Sequence, residues 1–87
     1  MDDRRKKLGF RAWRRGFREI DLILGGFSDQ GLANLDTAGL DDFERLLGAP
    51  DQQVYAWITG QEAVPAEHET RTLALIRAFR SEMVRQS

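Results

Sequence analysis

The sequence predicts an all-α fold, a small five-helix bundle built as a single domain across its 87 residues. The prediction rests on spacing and punctuation: apolar residues recur with helical rather than alternating periodicity, β-branched residues are sparse, and turn formers interrupt the stripes at short intervals. On the first helix, Leu8/Ala12 and Phe10/Trp13/Phe17 are spaced to share faces. Phe17, Ile20, Ile23, Leu24 and Phe27 form the second stripe, although Gly25-Gly26 within it predicts a kink or an early stop. Leu40, Phe43, Leu46 and Leu47 form the third, with Asp36-Thr37 offering an N-cap and Gly48 a left-handed close. Pro50 and Asp51 suit the first turn of the fourth, which carries Val54, Trp57 and Ile58 and ends at Gly60, with Pro65 barring continuation. Glu67 and Glu69 favour the start of the fifth, whose stripe is Leu75, Ile76, Phe79 and Met83, with Arg77, Arg80 and Arg85 toward its negative end. Residues 1–7 and 84–87 are expected to fray.

Composition narrows the function classes. A domain this small has little room for an internal substrate cavity beside its core. The absence of cysteine excludes disulfides and thiolate metal sites, and suits a reducing cytosol. No apolar run approaches the roughly 20 residues that span a bilayer, and MDDRRKK leads into no apolar signal segment, so a soluble, cytoplasmic protein is expected. The net charge of −1 conceals an asymmetry. Residues 1–18 carry eight Lys or Arg against Asp2 and Asp3 (net +6). Residues 19–70 carry eleven acids against Arg45 (net −10), and residues 71–87 carry four Arg against Glu82 (net +3). A basic arm on an acidic body steers partners rather than deciding the fold.

The densest polar chemistry lies at Arg14-Arg15-Gly16-Phe17-Arg18-Glu19. On one reading Gly16 is a hinge adopting a backbone angle denied to other residues, and Glu19 caps the second helix. On the other, Arg11, Arg14, Arg15, Arg18 and Glu19 around a bare glycine form an exposed corner that docks on another protein, because guanidinium grips carboxylate and carbonyl oxygens in a planar fork. Gly16 would then allow close approach.

The run WRRGFREID, with its Arg15-Gly16-x-x-Glu19 core, resembles the signature of the SdhE family of succinate dehydrogenase flavinylation factors. The segment LDDFERLLGAPDQQVYAWITG, Leu40 to Gly60, resembles the family's "F..LL..PD..LY.WI.G" pattern in order and spacing. The resemblance covers about residues 8–65 and departs at Gly25-Gly26 and after Pro65. It implies a five-helix bundle with the R-G-x-x-E motif at the junction of the first two helices. It implies an assembly factor that binds the flavoprotein subunit of succinate dehydrogenase, or of fumarate reductase, and promotes covalent attachment of FAD to a histidine there. FAD then belongs to the client, no cofactor is held stably by this chain, and Arg15 lies near the client's FAD. Arg15, Gly16, Glu19, Arg14, Arg18 and Arg11 become the partner-binding residues, with no catalytic residue, no metal ligand, no membrane insertion and a monomeric free state.

Composition agrees with a non-enzymatic helper, since His68 is the one histidine and is expected to be a surface residue. Trp13, Phe43, Tyr55 and Trp57 read as core or interhelix packing, with Tyr55 facing away from Val54, Trp57 and Ile58. Asp41, Asp42 and Glu44 read as a solvated face without calcium-loop spacing. The alternative functions are an antitoxin-like or nucleic-acid-binding protein. Arg4, Lys7, Arg11, Arg14 and Arg18 would make a basic stripe on one unbroken helix, but the acidic body and a pI of about 5.8 speak against nucleic acid.

Overall fold

The computed structural model describes residues 2–86. Five α-helices run in order, α1 (Asp3–Ala12), α2 (Arg18–Gly31), α3 (Thr37–Leu47), α4 (Asp51–Thr59) and α5 (Arg71–Gln86), with short 3-10 turns at Leu32–Asn34 and Ala66–His68. Among the described residues there is no strand. The core joins Leu8 and Ala12 of α1, Ile20, Leu24 and Phe27 of α2, Leu40, Phe43 and Leu46 of α3, Val54 and Trp57 of α4, and Leu73 and Ile76 of α5. These side chains repeat at helical intervals, so each helix turns one apolar stripe inward.

The helix ends follow local chemistry. Asp2 caps α1 by accepting from the Arg5 amide at 2.8 Å, and its side chain also meets the Arg5 guanidinium. Asp36 caps α3, accepting from the Gly39 amide at 2.8 Å. Gly60 closes α4 in the left-handed conformation, with φ +81°. Thr70 Oγ1 accepts from the Leu73 amide at the start of α5.

Several expectations are corrected. Residues 3–7 and 84–86 are helical rather than frayed, whereas Met1 and Ser87 lie outside the described residues. Asp2 supplies the reason at the front, because its cap satisfies a free amide of the first turn. Gly48 is right-handed, with φ −81°; its amide and that of Ala49 close back onto the Arg45 and Leu46 carbonyls as a tight last turn. α2 passes through Gly25 and Gly26 unbroken. A Cβ on Gly25 would stand 2.2 Å from the Trp13 ring, and one on Gly26 would stand 3.0 Å from Phe79. Aromatic packing on the bare helix backbone offsets the entropic cost of the glycine pair.

Phe17 does not continue the Phe10/Trp13 face, because α1 ends at Ala12 and Phe17 is extended before α2. Phe10 is exposed, and Phe17 packs edge-on against Tyr55 at 5.3 Å. Leu73, not Leu75, makes the inward contact of α5. Glu67 and Glu69 precede α5, which begins only at Arg71. His68 is buried rather than superficial, because residues 66–68 fold back and stack its ring on Trp57 at 5.0 Å. Asp41 and Glu44 of α3 are exposed and Asp42 is half-buried, and all three are paired: Arg4 reaches Asp41 and Glu44 at 2.6 and 3.1 Å, and Arg45 reaches Asp42. The basic stripe is therefore broken twice, by the end of α1 and by the engagement of Arg4.

Candidate docking corner between the first two helices

The segment 13–17 between α1 and α2 holds Arg15 and Gly16 of the R-G-x-x-E motif, with Glu19 in the first turn of α2, and the Arg15 and Gly16 amides are fixed by carboxylates from two directions. Asp21, in the first turn of α2, reaches back to accept from the Arg15 amide at 2.6 Å. Asp51, the first residue of α4, accepts from the Gly16 amide at 2.6 Å. Asp51 sits at the positive end of α4's dipole, which favours its charge there.

The Arg15 side chain points inward and is only 10% exposed. Its Nη1 donates to the Leu47 carbonyl at 2.8 Å and its Nη2 to the Ala49 carbonyl at 3.2 Å, while Nη2 also lies 2.5 Å from Asp51 Oδ1. Leu47 ends α3, so one guanidinium satisfies a carbonyl that α3 leaves unpaired together with that of Ala49 in the following turn, and ties the first corner to the α3–α4 junction. Nε is the buried side-chain polar atom left without a partner among the described residues. The sequence leads one to expect Arg15 to reach outward to a partner or its FAD; in this structure its fork is occupied inside the protein.

Gly16 is exposed and its φ is not positive; among the described residues Gly60 is the glycine that is left-handed. The hinge-angle reading of Gly16 is therefore wrong. Room is what matters: a Cβ at this position would stand 2.6 Å from Asp51 Oδ2. A side chain here would require Asp51 Oδ2, the acceptor of the Gly16 amide, to shift.

Glu19 is exposed and makes no cap, since α2 has no side-chain capping bond at its N-terminus. The acid that anchors this turn is Asp21, which the sequence reading passed over. Arg11, Arg18 and Glu19 are exposed and in no ion pair among the described residues. Arg14 is exposed, with its guanidinium 3.5 Å from the centre of the Phe10 ring and Nη1 donating to the Phe10 carbonyl. Leu22 is 39% exposed and lies one helical turn from both Arg18 and Glu19, so it shares their face. The structure thus separates the predicted residues. Arg15 braces from within, whereas Gly16, Glu19, Arg14, Arg18 and Arg11 are presented to solvent. Asp51 and Leu22 are additions. The spacing of Leu22 from Glu19 was readable in sequence, whereas the meeting of Asp51 with Gly16, 35 positions away, was not.

Residues 6–80 match the family described as "Flavinator of succinate dehydrogenase". The chain belongs to this family. The match takes in the docking corner and most of α5, beyond the limit of the resemblance seen in sequence. The chain is 38% identical over 73 residues to succinate dehydrogenase assembly factor 2, mitochondrial, of Dictyostelium discoideum, covering 84% of this chain and 52% of that protein. It is 36% identical over 70 residues to the FAD assembly factor SdhE of Acetobacter pasteurianus, covering 80% of this chain and 64% of that protein. It is 40% identical over 60 residues to the assembly factor 2 of Mycosarcoma maydis, covering 69% of this chain and 25% of that protein. The chain thus spans about half, just under two thirds and a quarter of these relatives. No helix among the described residues is long and apolar enough to cross a membrane, and no cluster of three or more His, Asp or Glu there is placed to hold a metal ion.

Proposed function

We propose that this chain is a non-catalytic assembly factor that binds the flavoprotein subunit of succinate dehydrogenase, or of fumarate reductase, and promotes covalent attachment of FAD to it. The observation that carries this reading is a corner braced internally by Arg15, Asp21 and Asp51 while Gly16 and Glu19 stay bare outside. A surface loop ordered before it meets its partner loses less entropy on docking. The relatives' names, which concern succinate dehydrogenase assembly and FAD assembly, support the same reading.

The division of labour follows from the geometry. Gly16 lets a partner surface approach the backbone of the corner closely, and Glu19 offers an uncommitted carboxylate for a donor on that surface. Arg18 and Arg11 supply steering charge beside them. Arg15 positions the corner without touching the client. The flavin and the histidine it joins both belong to the client, so the helper contributes geometry: correct alignment of two reacting groups is worth about 7–11 kcal/mol in favourable cases. No cofactor needs to reside on this chain, which acts as a monomer against its client.

The test is co-expression of the flavoprotein subunit with this chain or with Gly16→Arg, followed by measurement of acid-stable flavin on the subunit. The parent chain should raise covalent flavin, and Gly16→Arg should leave it at the level seen without the helper. Equal flavin with and without the parent chain would remove the proposed activity.

A further inference from the structure

Beside the corner lies a second surface feature. A shallow hollow of about 340 Å³ opens between α1 and α2, lined by Lys6, Gly9, Phe10, Trp13 and Arg14 from α1 and the corner segment and by Asp29 from α2. Its walls carry the most exposed aromatic surface of the described residues: Phe10 is 59% exposed and Trp13 36%. Both rings are nonetheless held in place. Trp13 lies against the bare backbone of Gly25 and donates from Nε1 to Asp29 at 3.2 Å. Phe10 is covered on one face by the Arg14 guanidinium, 3.5 Å from its centre.

An exposed phenylalanine by itself needs no explanation. Here, however, two rigid aromatic walls meet in one concavity, and cations surround them. Lys6 and Arg14, which line the hollow, form no ion pair among the described residues, and Asp29, the acid in the hollow, is engaged by Trp13. Arg4, Arg5 and Arg15 are paired with acids, so Lys6 and Arg14 are the lining cations that no acid neutralises among the described residues. Fixed aromatic anchors beside cations that no acid neutralises are the composition of an interface centre with a steering rim. Arg14 joins the hollow to the Gly16 edge through two peptide bonds, so the surfaces are continuous.

We propose that this hollow is a second docking element for the same flavoprotein subunit, receiving an apolar side chain that the subunit presents amid carboxylates. The inference rests on the assembly-factor reading and adds a recognition site to it. Phe10 and Trp13 grip the apolar group, while Lys6 and Arg14 face the surrounding acids. Engaging both the hollow and the Gly16 edge fixes orientation, which a single contact point would leave free to pivot.

The experiment is titration of the purified flavoprotein subunit against the full chain and the variants Phe10→Ala, Lys6→Glu and Gly16→Arg, at low and at physiological salt. Phe10→Ala and Lys6→Glu alter exposed side chains, and thermal unfolding should show them as stable as the parent. Phe10→Ala should weaken binding about tenfold at either salt concentration. Lys6→Glu should weaken it mainly at low salt, by slowing association. Parent-like binding by both, with Gly16→Arg unable to bind, would overturn the second docking element and leave the corner intact. Failure of the parent chain to bind the subunit would overturn both.

Discussion

At the turn after α4, Gly60 takes φ +81° with nothing within 4 Å of where its Cβ would stand; at the turn before α2, Gly16 has no positive φ, yet its Cβ would meet Asp51 at 2.6 Å. One glycine is needed for its backbone angle and the other for space. The surroundings differ in the same sense. Around the turn after α4, Arg77 donates to the Trp57 carbonyl at 2.9 Å, Thr72 donates to the Gly39 carbonyl and His68 stacks on Trp57, while Gln61 and Glu62 stay exposed. At the α1–α2 corner, Arg15, Asp21 and Asp51 close the inner side while Gly16, Arg18 and Glu19 are left bare outside. The two turns differ in bracing: carboxylates from α2 and α4 fix the backbone amides of Arg15 and Gly16, whereas Gly60 stands clear of the rest of the molecule.

The comparison breaks most decisively at Arg15. Arg15→Ala leaves the Leu47 and Ala49 carbonyls and Asp51 short of their donor, and should lower unfolding free energy by about 2–4 kcal/mol in urea titrations. Arg15→Lys should recover less than half of that, because an ammonium cannot span two carbonyls and a carboxylate as the planar fork does. Full recovery by lysine would mean that charge alone matters at this position.

The glycines give the next effect. Gly16→Ala should cost about 1–2 kcal/mol through displacement of Asp51, and the loss should largely vanish in an Asp51→Ala background, a non-additivity of about 1 kcal/mol. Gly60→Ala should cost about 1 kcal/mol through its left-handed backbone and add independently to Asp51→Ala. Additivity at both sites would erase the distinction between the two turns.

The smallest effect concerns the start of α1. The Arg5 amide, with the Arg5 guanidinium, holds the Asp2 carboxyl below its ordinary value of 3.8. A carboxylate with a depressed folded pKa contributes fully above its unfolded value, and the contribution is lost as pH falls through the folded one. Amide exchange in the first turn of α1 should therefore accelerate only at acid pH, below 3.8, and Asp2→Asn should flatten that dependence.

Helix number and most of the core were legible because helical periodicity is a local property: Ile20, Leu24, Phe43 and Ile76 all lie buried where their spacing puts them. The Asp36 cap was legible for the same reason. What escaped was tertiary. Gly25 and Gly26 read as helix breakers until Trp13 and Phe79 are seen lying on them. His68 read as a surface residue because its stacking on Trp57 depends on how residues 60–70 fold back. At the corner, the motif residues were visible, but the direction of Arg15 depended on carbonyls more than 30 positions away. Sequence marked the location of the site and could not divide it into an inner brace and an outer edge.

The central claim is that the outer edge of the corner serves docking and not folding, and Glu19→Gln tests it most directly when unfolding free energy and affinity for the flavoprotein subunit are measured on the same protein. The expected result is stability within about 0.5 kcal/mol of the parent together with affinity reduced about tenfold or more. Unchanged affinity, or a loss of stability large enough to explain the weaker binding, would contradict it.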